Sequence, residues 1–218
     1  MKKAAIVLCG CGALDGSEIH EATLTLLALS QRGIDCQCFA PDLPQARVMN
    51  FLSKEALAET RNQLSEAARI ARGNVLDLKK LDPDQYDFLV MPGGTGAAYN
   101  LCNYAEAGVK AEVNPDLRQA ILAFRSQDKP IGAICITPVI LALVLGSKHN
   151  LLLTAGNHNH QAAKDMHALG CSVEACPPQD CLVDTKNKIV STPAYMNAQN
   201  ISQVYEGISK LLAALEDS

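Results

Sequence analysis

The stretch PIGAICITPVILALVLG, residues 130–146, decides the fold. PIGAIC is a short apolar run with β-branched residues and reads as a buried strand. ITPVILALVLG follows without a linker and reads as a helix, with Pro138 where a first helical turn tolerates proline. Cys135 stands at the junction. A strand that turns at once into a helix presents the junction residue at the carboxyl end of a sheet, in the manner of a nucleophile elbow. Two readings of Cys135 follow. It is one more buried thiol among nine cysteines, or it is a sulfur held for attack.

Outward from this stretch, strand-like and helix-like runs alternate. AAIVLC (4–9), IDCQCFA (34–40), YDFLVMPGG (86–94) and LLLT (151–154) read as strands. Residues 17–33 carry apolar positions at helical spacing and stop at Gly33. Residues 53–73 read as a helix with Ser53 as N-cap and Gly73 as its stop. Residues 115–129, 159–170 and 198–217 read as further helices, and 180–193 as a hairpin turning at TKN. The β-α-β-α order, without repeats or low-complexity segments, predicts a single α/β domain over residues 1–218 with a mostly parallel, doubly wound sheet.

Composition narrows the function. The 218 residues are 48% hydrophobic, with no Trp and a formal net charge of −4. No basic run is present, which argues against nucleic acid as a partner. The apolar run 131–145 is interrupted by Pro138 and too short to span a membrane, so no membrane role is expected. The start, MKKAAIVLCGCGAL, imitates a secretion signal, but its apolar core Ala4–Leu8 is short and fits a first strand better. An odd number of cysteines, several within strand-like runs, suggests reduced thiols and a cytoplasmic location. CGC and CQC are spaced by one and lack a neighbouring His cluster, so no metal is expected.

In a doubly wound sheet ligands gather at the carboxyl ends of the strands. Four segments lie there: GCGALDGSE, PGGTGAAYN, the turn at Cys135, and TAGNHNH. A helix N-terminus can lower a cysteine pKa from its free value of about 8.5. The amides of Gly94 and Ile136 are candidates for an oxyanion hole. Glu18 and Glu21 lie three apart in a first helical turn, where acidic side chains suit the helix dipole. A Glu21 pointing at the sulfur would be desolvated, hold its proton and donate a hydrogen bond. His158 and His160 are accessory candidates, read primarily as solvent-facing or capping residues; His20 should face away from the two glutamates. GCGALDG also offers G-x-G spacing for a dinucleotide, with Asp35 and Asp42 nearby. Glu18 and Glu21 would then stand where a pyrophosphate needs positive potential.

The blocks DGSEIHEATLTLLALSQRGIDCQCFAPD (15–42), AETRNQLSEAARIARG (58–73), DFLVMPGGTGAAYNL (87–101), GAICITPVILALVLG (132–146) and IVSTPAYMNAQNI (189–201) resemble the ElbB family of enhancing lycopene biosynthesis or sigma cross-reacting proteins. That family lies in the PfpI-like branch of the class I glutamine amidotransferase-like superfamily. The resemblance runs along essentially the whole chain. It implies a flavodoxin-like three-layer sandwich with Cys135 at the elbow and Glu21 as the cleft glutamate. It also implies a cofactor-free glyoxalase-type activity on small 2-oxoaldehydes, a link to isoprenoid biosynthesis, and a homodimer. Many PfpI-like enzymes place a histidine directly after the strand that follows the elbow helix, where this chain has Ala155 and Gly156. Glutamine hydrolysis normally needs a downstream His-x-Glu pair, and residues 185–200 contain no histidine.

The resemblance thus implies a cysteine-dependent enzyme of 2-oxoaldehydes, with Cys135 and Glu21 as catalytic pair. The competing expectation is a non-catalytic redox or ligand sensor that uses Cys135 and acts through a partner.

Overall fold

A computed structural model describes residues 2–218. Four short apolar strands form the centre of a sheet: β1 (Lys3–Val7), β4 (Phe88–Met91), β5 (Ile131–Ile134) and β9 (Ile189–Thr192). β2 (Asp35–Ala40) and β3 (Val75–Asp77) extend one side, and β8 (Leu182–Asp184) closes the other. The order is β3-β2-β1-β4-β5-β9-β8. All neighbours are parallel except β8 and β9, the expected hairpin. This is the flavodoxin-like sandwich implied above.

Both faces of the sheet are covered, so the central strands are mostly apolar and almost wholly buried rather than alternating. Side chains still alternate by face. Ala4, Ile6, Leu8, Phe88 and Val90 pack with α1 (Ile19–Gln31) and α9 (Ile201–Asp217). Ala5, Val7, Leu89 and Met91 pack on the other side with α5 (Pro115–Ser126). There they also meet the helix after β5 and α8 (Gln161–Ala168). The helix after β5 is α6 (Pro138–Leu141), which continues through a π turn, Ala142–Gly146, into α7 (Ser147–His149).

Caps define the long helices. Asn114 accepts from the amides of Asp116 and Leu117 ahead of Pro115, and Asn200 accepts from Gln203. Each such cap satisfies amides that have no partner within the helix.

Two expectations are corrected. The helix read over 53–73 is only α2 (Gln63–Ile70), capped by Asn62 rather than Ser53. Residues 41–62 instead form an irregular excursion pinned by Pro44–Asn62 and Met49–Ala56 bridges. Asn50 Oδ1 there accepts from the amides of Leu52 and Ser53, a local side-chain bond that competes with helix formation. The strand read over 151–154 is β6 (Leu152–Leu153). It pairs with β7 (Ser172–Val173) in a separate two-stranded sheet. The short β3 and β7 were not expected. Two brief helices, α3 (Ala97–Asn100) and α4 (Tyr104–Ala107), occupy the crossover after β4.

α9 settles on β5 over Gly132. A Cβ at Gly132 would lie 2.7 Å from Leu215 Cδ1 and 3.0 Å from Leu211 Cδ2. Leu211 is fully buried at this contact. Leu211→Ala is therefore expected to cost about 2–5 kcal/mol of stability, read as a lower urea midpoint at unchanged slope.

Candidate functional site

Cys135 has φ +63°, a conformation that non-glycine side chains rarely adopt. The strain is held from both sides. Its amide donates to the Thr192 carbonyl at 2.9 Å, carrying the β5–β9 ladder one residue past the strand. Buried Thr137 accepts the Ile134 amide at 2.9 Å and donates to the Met91 carbonyl at 2.8 Å, tying the turn to the end of β4. The elbow read from residues 130–146 is formed.

Glu21 reaches this sulfur from α1. Its side chain is fully buried. Oε2 accepts from the Gly93 amide at 2.9 Å, Oε1 accepts from the Tyr195 amide at 3.4 Å, and the carboxyl lies close enough to the Cys135 thiol for each to shift the other's ionisation. The turn after β4 makes this approach possible. A Cβ on Gly93 would stand 2.6 Å from Cys135 Cβ and 3.0 Å from Glu21 Oε2. Gly94 has φ +105°, and a Cβ there would meet the Glu18 amide at 2.7 Å. The amides of Gly94 and Ile136 lie against the sulfur.

Glu18 is placed differently. Its Oε2 accepts the Glu21 amide at 2.7 Å and caps α1, while its own amide donates to the Gly93 carbonyl at 2.9 Å. It positions α1 without being directed at the sulfur. The two histidine candidates separate. His160 caps α8 through Nδ1, which accepts from the Ala162 amide at 3.4 Å, and its ring also lines the Cys135 pocket. His158 lines a different hollow, with Lys164 and His167. His20 points outward, to the Tyr195 hydroxyl at 2.7 Å.

Electrostatics corrects one expectation. Burial, with the nearby Glu18 charge adding to it, pushes the Glu21 carboxyl up to about 8, against the hydrogen bonds that favour its ionised form. Glu21 therefore holds its proton through most of the neutral range. The Cys135 thiol was expected to be lowered by the helix that follows. It is instead raised well above its ordinary range, first by burial and then by the Glu21 charge, and these outweigh the Gly94 and Ile136 amides. The two groups titrate as a pair.

Cys135 is 7% exposed, and that remainder opens into a pocket of about 280 Å³. Thr95, Ala98, Tyr104, His160 and Met196 form most of its wall. Tyr104, Tyr195 and Met196 were missed as site residues. Tyr104 comes from a crossover with no recognisable motif. Tyr195 acts through its backbone. None of the nine cysteines is paired. Among the described residues, no group of three or more His, Cys, Asp or Glu is placed to hold a metal. None of the helices described is long and apolar enough to cross a membrane.

No family model matches the chain. Individual proteins do. The human "glutamine amidotransferase-like class 1 domain-containing protein 3, mitochondrial" is 37% identical over 219 residues, covering 96% of this chain and 81% of the relative. The zebrafish "ES1 protein, mitochondrial" is 30% identical over 226 residues, covering 95% and 83%. The chain belongs to the ES1 family of glutamine amidotransferase-like class 1 domain proteins. Among solved structures, an isoprenoid biosynthesis protein with an amidotransferase-like domain from Ehrlichia chaffeensis superposes with a TM-score of 0.92. It is 34% identical and covers 99% of both chains. Drosophila melanogaster DJ-1beta shares the fold, with a TM-score of 0.56 at 17% identity over 99% of this chain and 89% of its own. This ES1-family chain thus carries its elbow on the DJ-1/PfpI scaffold.

The buried pair sets a pH dependence. The Glu21 carboxyl is raised from 4.5 to about 8, so folding favours its protonated form. That contribution is complete below pH 4.5 and is lost as pH rises to about 8. Glu21→Gln should flatten the fall in stability across this window, as seen in denaturant midpoints at several pH values. Because the Glu21 charge raises the thiol, the same substitution should move the alkylation inflection of Cys135 to lower pH, followed by mass spectrometry of its peptide.

Proposed function

We propose that this ES1-family chain is an ElbB-like, cofactor-independent glyoxalase that converts small 2-oxoaldehydes such as glyoxal and methylglyoxal to 2-hydroxy acids. The observation that carries the reading is the fully buried Glu21 carboxyl standing beside the strained Cys135 thiol, next to a small pocket. The wall of that pocket has no Arg, Lys, Asp or Glu. A small neutral carbonyl compound suits such a wall. Free glutamine, which presents an ammonium and a carboxylate, does not.

In this mechanism Sγ attacks the aldehyde carbon of methylglyoxal while the thiol proton passes to the ionised Glu21 carboxylate. The carbonyl electron pair moves onto oxygen, where the Gly94 and Ile136 amides stabilise it until it takes up a proton. Such donors typically contribute about 10²–10³ in rate. The aldehyde hydrogen then leaves as a proton to give an enediol, and protonation of the second carbon gives a lactoyl thioester on Cys135. Water cleaves the thioester, releases lactate and restores the thiol. One carbon is oxidised and its neighbour reduced, so no outside oxidant or reductant enters.

Glu21 is the general acid and base. A value of about 8 lies near operating pH, where such a group is most effective. His160 assists. Its Nδ1 accepts a backbone hydrogen bond, so in the neutral ring Nε2 carries the proton and can donate to the second carbonyl oxygen. The raised thiol weighs against the sensor reading, because peroxide-sensing cysteines work as accessible, low-pKa thiolates.

We extend the isoprenoid biosynthesis context from the Ehrlichia relative to this chain, as a cytoplasmic, single-domain homodimer. Exposed Ile19, Leu27 and Ile201 on the packed pair α1 and α9 offer apolar surface to a second copy.

Lactate formation from methylglyoxal should disappear in Cys135→Ala and persist in the parent protein. Conversion of methylglyoxal by Cys135→Ala at the parent rate would overturn the mechanism. The parent kcat/KM should rise with pH to a plateau above about 8, following ionisation of Glu21. His160→Phe should lower kcat by about 10²-fold.

A further inference from the structure

The Cys135 pocket has a second chamber. A hollow of about 330 Å³ shares Tyr104, Ala105, Ile136 and His160 with the inner pocket of about 280 Å³. The outer chamber adds Gly108, Gln161, Ala162 and Asp165. Methylglyoxal has five non-hydrogen atoms. At about 30 Å³ for each water-sized group, it fills at most on the order of 150 Å³. It leaves much of the inner pocket and all of the outer one to solvent.

The outer chamber has a definite chemistry. Asp165 is the only residue lining either chamber that carries a formal charge. Its Oδ2 accepts from the Tyr104 hydroxyl at 2.7 Å and its Oδ1 accepts from Gln161 Nε2 at 2.9 Å. Each oxygen keeps a further lone pair for an incoming donor. Burial and the Asp165 carboxylate push the Tyr104 hydroxyl upward, so Tyr104 stays a donor and holds the carboxylate in place. A carboxylate at the far end of a cleft welcomes donors and repels phosphate or carboxylate tails.

We propose that the site is built for 2-oxoaldehydes longer than methylglyoxal, with the dicarbonyl head at Cys135 and an uncharged, hydroxyl-bearing tail that donates hydrogen bonds to Asp165. Sugar-derived 2-oxoaldehydes are the substrate class this describes. The inference rests on the aldehyde chemistry proposed above and adds the tail site to it. Asp165 acts here as a specificity residue, remote from the reacting carbons.

The experiment compares kcat/KM for methylglyoxal, phenylglyoxal and 3-deoxyglucosone, a sugar-derived 2-oxoaldehyde with a hydroxylated tail. The parent protein should prefer 3-deoxyglucosone to methylglyoxal by about tenfold, which is about 1.4 kcal/mol. Asp165→Ala should remove that preference. Tyr104→Phe, which removes one of the two donors that hold the carboxylate but keeps its charge and its Gln161 bond, should retain most of it, separating recognition from a structural role. Protection of Cys135 from alkylation by each aldehyde reads the same preference without turnover. Equal or better use of methylglyoxal or phenylglyoxal, or a preference that survives Asp165→Ala, overturns the tail site while leaving the Cys135 chemistry intact. Failure of every aldehyde both to turn over and to protect Cys135 overturns the aldehyde reading and the tail site with it.

Discussion

The site depends on one close approach. Gly93 passes between a buried carboxyl and a strained cysteine, and a single added carbon there would overlap Cys135 Cβ and crowd Glu21 Oε2. Because the position has no side chain, its amide can bond Glu21 Oε2, its carbonyl can accept the Glu18 amide, and α1 can sit against the end of β4. Loosening that contact would detach the carboxyl from the sulfur. The pair would then become an ordinary buried cysteine and an unpartnered buried acid, an arrangement that proteins avoid.

The sheet brings these groups together because of its strand order. β1, β4, β5 and β9 lie side by side, and the segments leaving their carboxyl ends converge. α1 follows β1 and carries Glu21. The turn after β4 supplies Gly93 and Gly94, the turn after β5 supplies Cys135 and Ile136, and the segment after β9 supplies the Tyr195 amide. Four chain segments far apart in sequence thus meet within hydrogen-bonding reach. The backbone at Ala194, φ +44°, is strained just before it delivers that last amide. Strain at both Cys135 and Ala194, on adjacent strand ends, marks the place where regular ladder geometry gives way to the site.

Much of this was legible in the chain. Residues 130–146 predict the elbow because an apolar strand and an apolar helix meet there with no room for a loop. Glu21 is legible through helical spacing and the family resemblance. What was not legible depends on contacts between distant segments. Ser53 looks like a helix cap, but Asn50 claims the local amides and the chain stays irregular until Asn62. Leu152 and Leu153 look like part of the main sheet, but they pair with Ser172 and Val173 instead. Glu18 and Glu21 look equivalent on one helical face. Their roles diverge because Glu18 stands at the N-cap, where its carboxylate turns back to the Glu21 amide. His158 and His160 are two residues apart, yet only His160 lines the wall of the Cys135 pocket.

The direction of the thiol shift bears on how such a site remains compatible with folding. A resting thiolate would place a charge in the interior beside a carboxyl and across from no cation, since no Lys or Arg lines the pocket. A neutral thiol with a neutral acid avoids that penalty, and the Gly94 and Ile136 amides favour the ionised sulfur without outweighing its burial. In the proposed mechanism the single charge rests on the ionised Glu21 carboxylate until a substrate oxygen receives it beside the Gly94 and Ile136 amides. In that mechanism reactivity comes from a base whose ionisation lies near neutral pH and from fixed donors. It does not require a permanently activated sulfur, and so the interior can hold the pair at rest without a counter-ion.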